Sequence, residues 1–331
     1  MASDRIIMAH GGGGRLMDQL IEDVFLPAFG DPVGHERHDG ARLDGSIIFT
    51  ADAYVVRPLF FPGGSIGEIA VFGTANDLAM CGARPRWLSA SFILEEGLPL
   101  ETLRRVVADM GRAAREAEVL IVTGDTKVVE RGAADGLYVT TSGVGFVEFG
   151  ARVGPALIGP GDSILISGPV GAHGVAVLSV REGIAFETEI ESDAAPLWPV
   201  VEALLRAGVE VHCLRDLTRG GLAAAVNEIA RARGVEIELT EASIPVEAPV
   251  RAACEFLGLD PFYVANEGCF IAIVKQSDAE KALSAMQRFD PRAAIIGITG
   301  EEGAARVSMQ SAIGGRRSLD HLAGDLLPRI C

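Results

Sequence analysis

Val119-Leu-Ile-Val-Thr-Gly-Asp-Thr-Lys127 is an apolar run of strand length that passes directly into an acid, a hydroxyl and a lysine. The residues before it, from Leu100 to Ala114, place apolar side chains at helical spacing and predict a long amphipathic helix. Val119 to Val122 then predict a short buried strand, because four consecutive apolar residues leave no face for water. A helix that leads into a buried strand is typical of an α/β protein.

The same alternation continues on both sides of this stretch and predicts two halves, each with its own core. Strands are predicted at residues 46–51, 54–56, 87–94, 119–122, 137–147, 163–167, 209–214, 235–239, 269–274, 295–299 and 306–309. The main helices are predicted at 16–27, 66–81, 100–114, 221–233, 250–257 and 279–289, and a further helix follows Gly174. Gly154-Pro155 and Gly159-Pro160-Gly161 mark a domain boundary. We therefore predict an N-terminal domain over residues 1–153, a C-terminal domain over 154–317 and a flexible tail over 318–331.

Composition and charge limit the possible partners. The chain has 331 residues, of which 49% are hydrophobic and 22% charged, so it can bury two cores. Its net charge of -16 disfavours nucleic acid and anionic membrane surfaces, and phosphate groups would need metal ions to bind it. No apolar run approaches the roughly 20 residues of a membrane span and the first ten residues lack the regions of a signal peptide, so we expect a cytoplasmic protein.

Among the five cysteines, Cys331 differs from the others by its position at the end of the sequence. The five cysteines form no C-x-x-C pair, which argues against a disulfide framework and a zinc site. Four are expected to be small buried side chains, whereas Cys331 ends the chain. An extended segment from His321 to Cys331 spans at most roughly 35 Å, enough to carry the thiol between two sites. An inert chain end fits the position equally, and the terminal carboxylate would raise the thiol pKa unless a positive charge offset it.

Aspartates recur at the ends of apolar segments. Asp52, Asp125 and Asp216 each follow a predicted strand, and Asp77 lies in the helix predicted over residues 66–81. A turn at Asp52 and a surface salt bridge between Asp125 and Lys127 are the alternatives. The repetition favours a phosphate and metal site, since carboxylate oxygens are preferred ligands of Mg²⁺.

Three further features of the sequence contain candidate binding or catalytic residues: a glycine-rich loop, a glutamate and a histidine. His10-Gly11-Gly12-Gly13-Gly14 opens a predicted helix and presents N–H groups to an anion, although it matches no standard nucleotide motif and a flexible linker fits it too. Glu267 lies between apolar segments, where it caps a turn or acts as a general base with a raised pKa. His173 lies near a glycine turn, for which we favour a structural role.

Together these motifs resemble one protein family over nearly the whole chain. They are His10-Gly-Gly-Gly-Gly14, Thr50-Ala-Asp-Ala-Tyr54, Pro62-Gly-Gly64, Gly73-Thr-Ala-Asn-Asp77, Phe92-Ile-Leu-Glu-Glu-Gly-Leu-Pro99, Val122-Thr-Gly-Asp-Thr-Lys-Val-Val129, Asp216-Leu-Thr-Arg-Gly-Gly221, Ala265-Asn-Glu-Gly268 and Pro328-Arg-Ile-Cys331. The aspartate motifs are similar to the superfamily of aminoimidazole ribonucleotide synthetase, selenophosphate synthetase and thiamine-phosphate kinase. The terminal Pro-Arg-Ile-Cys narrows the resemblance to the HypE family of hydrogenase maturation proteins. Gly12 departs from the pattern, since many relatives have serine there.

The resemblance implies a two-domain α/β subunit whose N-terminal strands form a barrel across a homodimer, with ATP bound near it. It also implies the reaction. The carbamoyltransferase HypF places a carbamoyl group on the Cys331 sulfur, ATP drives its dehydration to a thiocyanate, and cyanide passes to iron on the HypC–HypD complex.

Residue roles follow from this reaction. Cys331 would carry the group, Lys127 would neutralise the transferred phosphoryl group, and Glu267 would remove the nitrogen proton. Mg²⁺ ligands are assigned to Asp52, Asp77, Asp125 and Asp216, and nucleotide contacts to Gly11, Gly12, Gly13, Gly14, Asn76, Thr126 and Asn266. Two alternatives stay open: phosphate transfer to a small diffusible substrate with Cys331 idle, and a non-catalytic carrier whose aspartates hold structural metal.

Overall fold

The computed structural model describes residues 5–30, 38–322, 324 and 327–331. The strands are β1 Ala41–Arg42, β2 Ile47–Tyr54, β3 Phe60–Phe61, β4 Gly64–Ser65, β5 Ala83–Glu95, β6 Leu120–Val129, β7 Leu137–Val147, β8 Ser163–Ile166, β9 Val211–Asp216, β10 Val235–Thr240, β11 Phe270–Val274, β12 Ala294–Glu302, β13 Arg306–Gln310 and β14 Arg316–Ser318. The helices are α1 Arg15–Leu20, α2 Leu26–Phe29, α3 Ile66–Met80, α4 Leu100–Glu116, α5 Ala172–Arg181, α6 Trp198–Arg206, α7 Gly221–Arg233, α8 Ala248–Leu257 and α9 Ala279–Met286. A π-helical turn at Ile21–Phe25 joins α1 to α2.

The first half of the chain builds a five-stranded sheet in the order β1-β2-β7-β5-β6. Only β5 and β6 pair in parallel, and α4 lies between them in sequence as the crossover helix. Apart from Glu68, Thr74, Asn76 and Asp77, helix α3 has apolar or small side chains on every side, and it is almost wholly buried, as expected for a helix that is covered all round. Helices α3 and α4 share a core with the inner face of this sheet.

The second half builds a seven-stranded sheet in the order β14-β13-β10-β12-β8-β11-β9. Its central strands β8 and β11 are buried on both faces. Ile164 and Ile166 of β8 pack on the side of α7, whereas Leu165 packs on the side of α6 and α9. Alternate side chains of one apolar strand therefore serve two cores, because successive residues of a strand point to opposite faces.

The predicted boundary between residues 153 and 154 falls between β7, which belongs to the first sheet, and β8, which belongs to the second. The two halves nevertheless share an interior, since Val56 of the first half and Val175 and Val264 of the second lie in one apolar cluster. The division into two domains stays a prediction.

The prediction of a short buried strand at residues 119–122 is wrong. Val119 is buried, but the strand that follows is β6, a long edge strand whose side chains are exposed. Leu120, Val122 and Val128 are 64%, 59% and 66% exposed. The Thr-Gly-Asp-Thr-Lys motif therefore lies within a strand, and Gly124 serves strand pairing, since a Cβ there would lie 1.9 Å from the carbonyl oxygen of Ala90 in β5.

The remaining elements match the prediction apart from their ends and a few omissions. Asp52 does not interrupt a strand but lies inside β2. Helix α6 and the short strands β1, β3, β4 and β14 were not predicted, since each is brief or lacks a clear period. None of the helices among the described residues is long and apolar enough to span a bilayer.

Candidate active site

Three carboxylates from distant parts of the chain converge between the two sheets. Asp39 precedes β1, Asp77 lies on α3 and Asp216 ends β9. One oxygen from each lies within 4.8 Å of the others. Thr50 of β2 links two of them, because its hydroxyl lies 2.9 Å from Asp77 Oδ2 and 2.8 Å from the Asp39 carbonyl oxygen. Arg215, beside Asp216, donates a short hydrogen bond to Asp39 Oδ1.

The electrostatics of this cluster suit a cation. Burial, followed by repulsion from neighbouring carboxylates, raises the pKa of Asp77 and of Asp216 well above the ordinary value. Burial also acts to raise the pKa of Asp39, but Arg215 and His38 outweigh it and the net pKa is lowered. Asp39 Oδ2 is buried and accepts no hydrogen bond from the described residues, while His38 Nδ1 lies 3.4 Å from it. A carboxylate oxygen that accepts no hydrogen bond, among three acids, suits a hard cation such as Mg²⁺.

Asp52 lies next to the cluster and Asp125 does not. Asp52 shares the inner face of β2 with Tyr54, whose hydroxyl donates to Asp52 Oδ2 at 3.2 Å. The negative charge of Asp52 contributes to the raised pKa of Asp77. In the strand register, Asp125 is level with Ala53 on the exposed face, three strand spacings or about 14 Å from β2. A single chain therefore does not bring all four predicted aspartates to one ion.

A cleft of about 620 Å³ opens beside the acidic cluster, between the N-terminal helical segment and α7. It is lined by Gly13, Met17, Asp18, Ile21, Glu22, His38, Arg215, Glu228, Arg231 and Ala232. The glycine loop reaches this region through Arg219, which donates to the carbonyl oxygen of Gly11 at 3.2 Å. Of the four glycines predicted to contact a nucleotide, Gly13 therefore lines the cleft, and Gly11 accepts a hydrogen bond from Arg219.

The last residues of the chain lie along the segment that follows β2. Val55 N–H donates to the Cys331 carbonyl oxygen at 3.1 Å, and Arg57 N–H donates to that of Arg329 at 3.3 Å. Arg329 returns a hydrogen bond from Nε to the Val55 carbonyl oxygen at 3.0 Å. Ile330 is fully buried, while Cys331 is half-buried. The tail is thus docked on the body of its own chain, and Cys331 packs at the edge of the first core.

Side chains reinforce this docking. Arg181, in the last turn of α5, donates to the carbonyl oxygen of Pro328 at 2.8 Å and makes a short hydrogen bond to that of Arg329. Asp135 accepts from Arg329 at 2.7 Å and from Arg57 at 3.0 Å. We call Arg181, Asp135 and the 55–57 backbone the tail latch.

Arg219 and Glu267 lie near the end of the docked tail. Arg219 interacts electrostatically with Cys331, and Glu267 Oε1 lies 3.9 Å from His173 Nε2, which contacts the Ile330 carbonyl oxygen. A negative charge at Cys331 is the largest cause of the raised pKa of Arg219, followed by burial, which opposes it. Arg219 therefore supplies the positive charge that a reactive thiol requires next to a terminal carboxylate. Glu267 is 3% exposed, and burial, with repulsion from Asp216 and Asp193, raises its pKa well above the ordinary value. A carboxylate in such a setting is a strong base.

Two predicted nucleotide contacts are occupied by the protein itself. The Asn76 amide donates to the carbonyl oxygens of Ala195 and Glu267 and accepts from the backbone of Leu197. The Asn266 amide likewise bonds to backbone groups of the second half, at Leu217, Val264 and Gly171. Both asparagines are buried and hold loops together, so they shape the site in this conformation through backbone hydrogen bonds. Thr126 and Lys127 lie on exposed β6, where Lys127 pairs with Asp125 at 2.7 Å.

Comparison with known proteins agrees with this geometry. Residues 38–147 match the N-terminal domain of AIR synthase related proteins, and residues 159–310 match the C-terminal domain. The chain is 52% identical over 330 residues to carbamoyl dehydratase HypE of Azotobacter vinelandii, covering 98% of this chain and 96% of that protein. It is 45% identical over 338 residues to carbamoyl dehydratase HypE of Escherichia coli, covering 99% of this chain and 100% of the relative.

The chain belongs to the HypE family.

Solved HypE structures share its fold. A crystal structure of hydrogenase maturation protein HypE in complex with ATP gives a TM-score of 0.84 at 46% identity and covers 99% of this chain and 100% of that one. A crystal structure of a HypE-HypF complex gives a TM-score of 0.88 at 45% identity, covering 92% and 99%. Thiamine monophosphate kinase of Aquifex aeolicus, at 18% identity and a TM-score of 0.65, shares the fold alone. The predicted HypE resemblance and α/β fold are thereby confirmed.

The sequence analysis did not identify several residues around the acidic cluster and the docked tail. Asp39 completes the acidic cluster, but it lies in a short polar segment without a strand to mark it. Arg219 was part of a quoted motif without an assigned role. Arg181 ends an ordinary helix, and nothing in its local sequence indicates that it holds the tail. The expectation that four cysteines are buried and Cys331 is not is confirmed.

Proposed function

We propose that this chain catalyses the ATP-dependent dehydration of a carbamoyl group on the Cys331 sulfur to a thiocyanate, which supplies cyanide for the iron of a [NiFe]-hydrogenase. The observation that carries the proposal is the docked C-terminus: Cys331 interacts electrostatically with Arg219, and the carbonyl oxygen of Ile330 before it contacts His173, whose Nε2 lies 3.9 Å from the buried Glu267. A thiol at a chain end reaches this position only by tail docking. The relatives named carbamoyl dehydratase match 98% and 99% of this chain.

The chemistry balances without a further reactant. The carboxamide oxygen attacks the γ-phosphorus of ATP, an O–P bond forms and ADP leaves. The nitrogen then loses its two protons, the C–O bond breaks, and the former amide oxygen departs within inorganic phosphate. The S–C≡N product carries no oxygen, so one water has been removed at the expense of ATP. Phosphoryl transfer of this kind depends mainly on positioning and on neutralising charge.

Glu267 is the base for this step. Its buried carboxyl has the raised pKa that lets it take a nitrogen proton near neutral pH. Arg219 stabilises negative charge at Cys331, which favours the thiolate needed to accept the carbamoyl group. Lys127 neutralises the phosphoryl group. Because Lys127 lies on the exposed edge strand of this chain, it reaches the nucleotide of a second copy.

Mg²⁺ fits the acidic cluster. Asp39, Asp77 and Asp216 would hold it, with Asp52 next to them, and Asp39 Oδ2 is free of hydrogen bonds within the described chain. When bound, Mg²⁺ would supply positive charge that offsets the repulsion between nucleotide phosphates and this acidic protein. Asp125 joins such a site only from a second copy, consistent with its exposed place on β6.

The partners follow from the same features. A homodimer covers the exposed apolar side chains of β6 and pairs its free edge, which is otherwise an aggregation hazard. HypF donates the carbamoyl group, and the HypC–HypD complex accepts the cyanide. Both exchanges occur in the cytoplasm and require the tail to leave the latch.

Single-turnover measurements on the carbamoylated protein test this assignment. Glu267→Ala and Lys127→Ala should remain folded and carbamoylated at Cys331, yet form little thiocyanate when ATP is added. Glu130→Ala, an exposed residue in the turn after β6, is the matched control. Thiocyanate formation at the wild-type rate in either variant would exclude that residue. ATP hydrolysis unaffected by Cys331→Ala would instead favour phosphate transfer to a diffusible substrate.

A further inference from the structure

His173 contacts the docked tail from the interior of the protein. Its ring is fully buried at the start of α5, packed edge-on against Phe61 with ring centroids 5.2 Å apart. Nε2 lies 2.9 Å from the carbonyl oxygen of Ile330, the residue next to the terminal cysteine. This contact is independent of the tail latch, which holds the outer side of the tail.

The tautomer of His173 follows from its two partners. A carbonyl oxygen only accepts hydrogen bonds, so Nε2 carries the hydrogen. Burial lowers the pKa of His173 to about 4, so the ring is neutral and Nδ1 is bare. Nδ1 then accepts from the Ser192 hydroxyl at 2.8 Å, and Ser192 Oγ accepts in turn from the backbone of Ala194. Ser192 thereby fixes the tautomer that points a hydrogen at the tail.

The same ring hydrogen has a second possible acceptor. Glu267 Oε1 lies 3.9 Å from His173 Nε2, beyond hydrogen-bond distance. Glu267 Oε1 is buried and, among the residues that the structure describes, has no hydrogen-bond partner. One N–H cannot satisfy two acceptors placed apart in this way, so Ile330 and Glu267 compete for it.

We propose that His173 is a positioning residue that couples tail docking to the release of the base. With the tail docked, the Nε2 hydrogen is committed to Ile330, and the Glu267 carboxylate is left without this hydrogen bond near the residue that precedes Cys331. With the tail withdrawn, the hydrogen turns to Glu267 Oε1. The base is therefore freed only when its substrate is in place. This inference rests on the proposed function only for the role of Glu267 as the base. The competition between Ile330 and Glu267 for the His173 hydrogen rests on geometry alone.

Alkylation of Cys331 by iodoacetamide measures docking without ATP or a carbamoyl group. The other four cysteines are buried, so the mass of the C-terminal peptide reports the tail alone. His173→Leu leaves the buried Ile330 carbonyl unpaired, and Cys331 should be alkylated roughly tenfold faster. His173→Gln keeps a donor near the position of Nε2 and should restore protection. Ser192→Ala, at a half-buried position, should give a smaller acceleration and serves if the leucine variant does not fold.

If Ile330 and Glu267 compete for the His173 hydrogen, the alkylation rate of Cys331 should also depend on Glu267. A histidine with only a structural role would not cause this dependence. Glu267→Ala removes the acceptor that draws His173 away from the tail, so Cys331 should be alkylated about threefold more slowly than in the wild type. In the His173→Leu background the same change should have no effect, because the coupling passes through the ring. Equal alkylation rates for the wild type, His173→Leu and Ser192→Ala would overturn the positioning role. An effect of Glu267→Ala that persists without His173 would overturn the competition.

Single-turnover dehydration separates this inference from the proposed function. Thiocyanate should form more slowly in His173→Leu and recover in His173→Gln. If the carbamoylated wild type loses no water, the proposed function fails while the alkylation result still decides the role of His173. If the wild type reacts and the leucine variant reacts equally fast, the coupling fails and the proposed function stands.

Discussion

Replacement of Arg181 by methionine should release the C-terminal tail. Arg181 donates to two tail carbonyl oxygens, those of Pro328 and Arg329, and its third bond, to the Arg57 carbonyl oxygen, does not depend on the tail. Because the guanidinium is only half-buried, each tail bond is worth about 1 kcal/mol rather than the larger value of a buried charged pair. Loss of both, about 2 kcal/mol, should shift the docking equilibrium by roughly thirtyfold.

The assay is the rate of Cys331 alkylation, which should rise towards that factor in Arg181→Met. Arg206→Met is the matched control, since Arg206 also occupies the last turn of a helix but pairs with Glu202 far from the tail. Methionine keeps most of the aliphatic length, so packing changes little in either variant. An alkylation rate in Arg181→Met that stays within about twofold of the wild type would refute the latch, because such a change is below the worth of a single hydrogen bond.

Three further predictions concern Asp39 in the acidic cluster, Gly73 beside Tyr54, and the buried His173. Asp39→Asn should raise the Mg²⁺ concentration needed for half-maximal ATP turnover by about tenfold, whereas the exposed Asp44→Asn should not change it. Gly73→Ala places a Cβ 2.2 Å from Tyr54 Oη and should cost about 2 kcal/mol in urea unfolding, and Tyr54→Phe should relieve this cost. Burial lowers the pKa of His173 from 6.5 to about 4, so the unfolded chain binds more protons in that interval. Stability should therefore fall by up to about 3 kcal/mol between pH 6.5 and 4 relative to His173→Leu.

The regular elements of the fold were largely predictable from the sequence. Strand β7 has the predicted bounds, and α3 and α4 differ by a residue or two, because their apolar patterns are long. Strand β6 shows the limit of such patterns. An apolar run indicates that a surface needs cover, but it does not say whether the same chain or a second copy provides it.

The convergence of part of the site was predictable from the sequence, but its full geometry was not. The structure brings Asp77 and Asp216 together with Asp52 close by, and each of the three lies in a motif of its own. Their assignment as Mg²⁺ ligands stays a prediction. Asp125 belongs to the opposite face of the sheet, which only the strand register reveals. The contacts of the tail to Arg181 and His173 join residues about 150 positions apart and have no local signal. Mobility of the tail stays a prediction, and the structure describes its docked state.

Removal of the oxygen of a carbamoyl group carried on Cys331 can be followed with an isotope. Cys331 is loaded through HypF with a carbamoyl group that contains heavy oxygen, and ATP is then added. The intact mass of the chain and that of the released phosphate are measured together. The chain should lose one labelled water equivalent, and the heavy oxygen should appear in inorganic phosphate. A chain that keeps its labelled carbamoyl group while ATP is consumed, or phosphate without the label, would rule out this reaction.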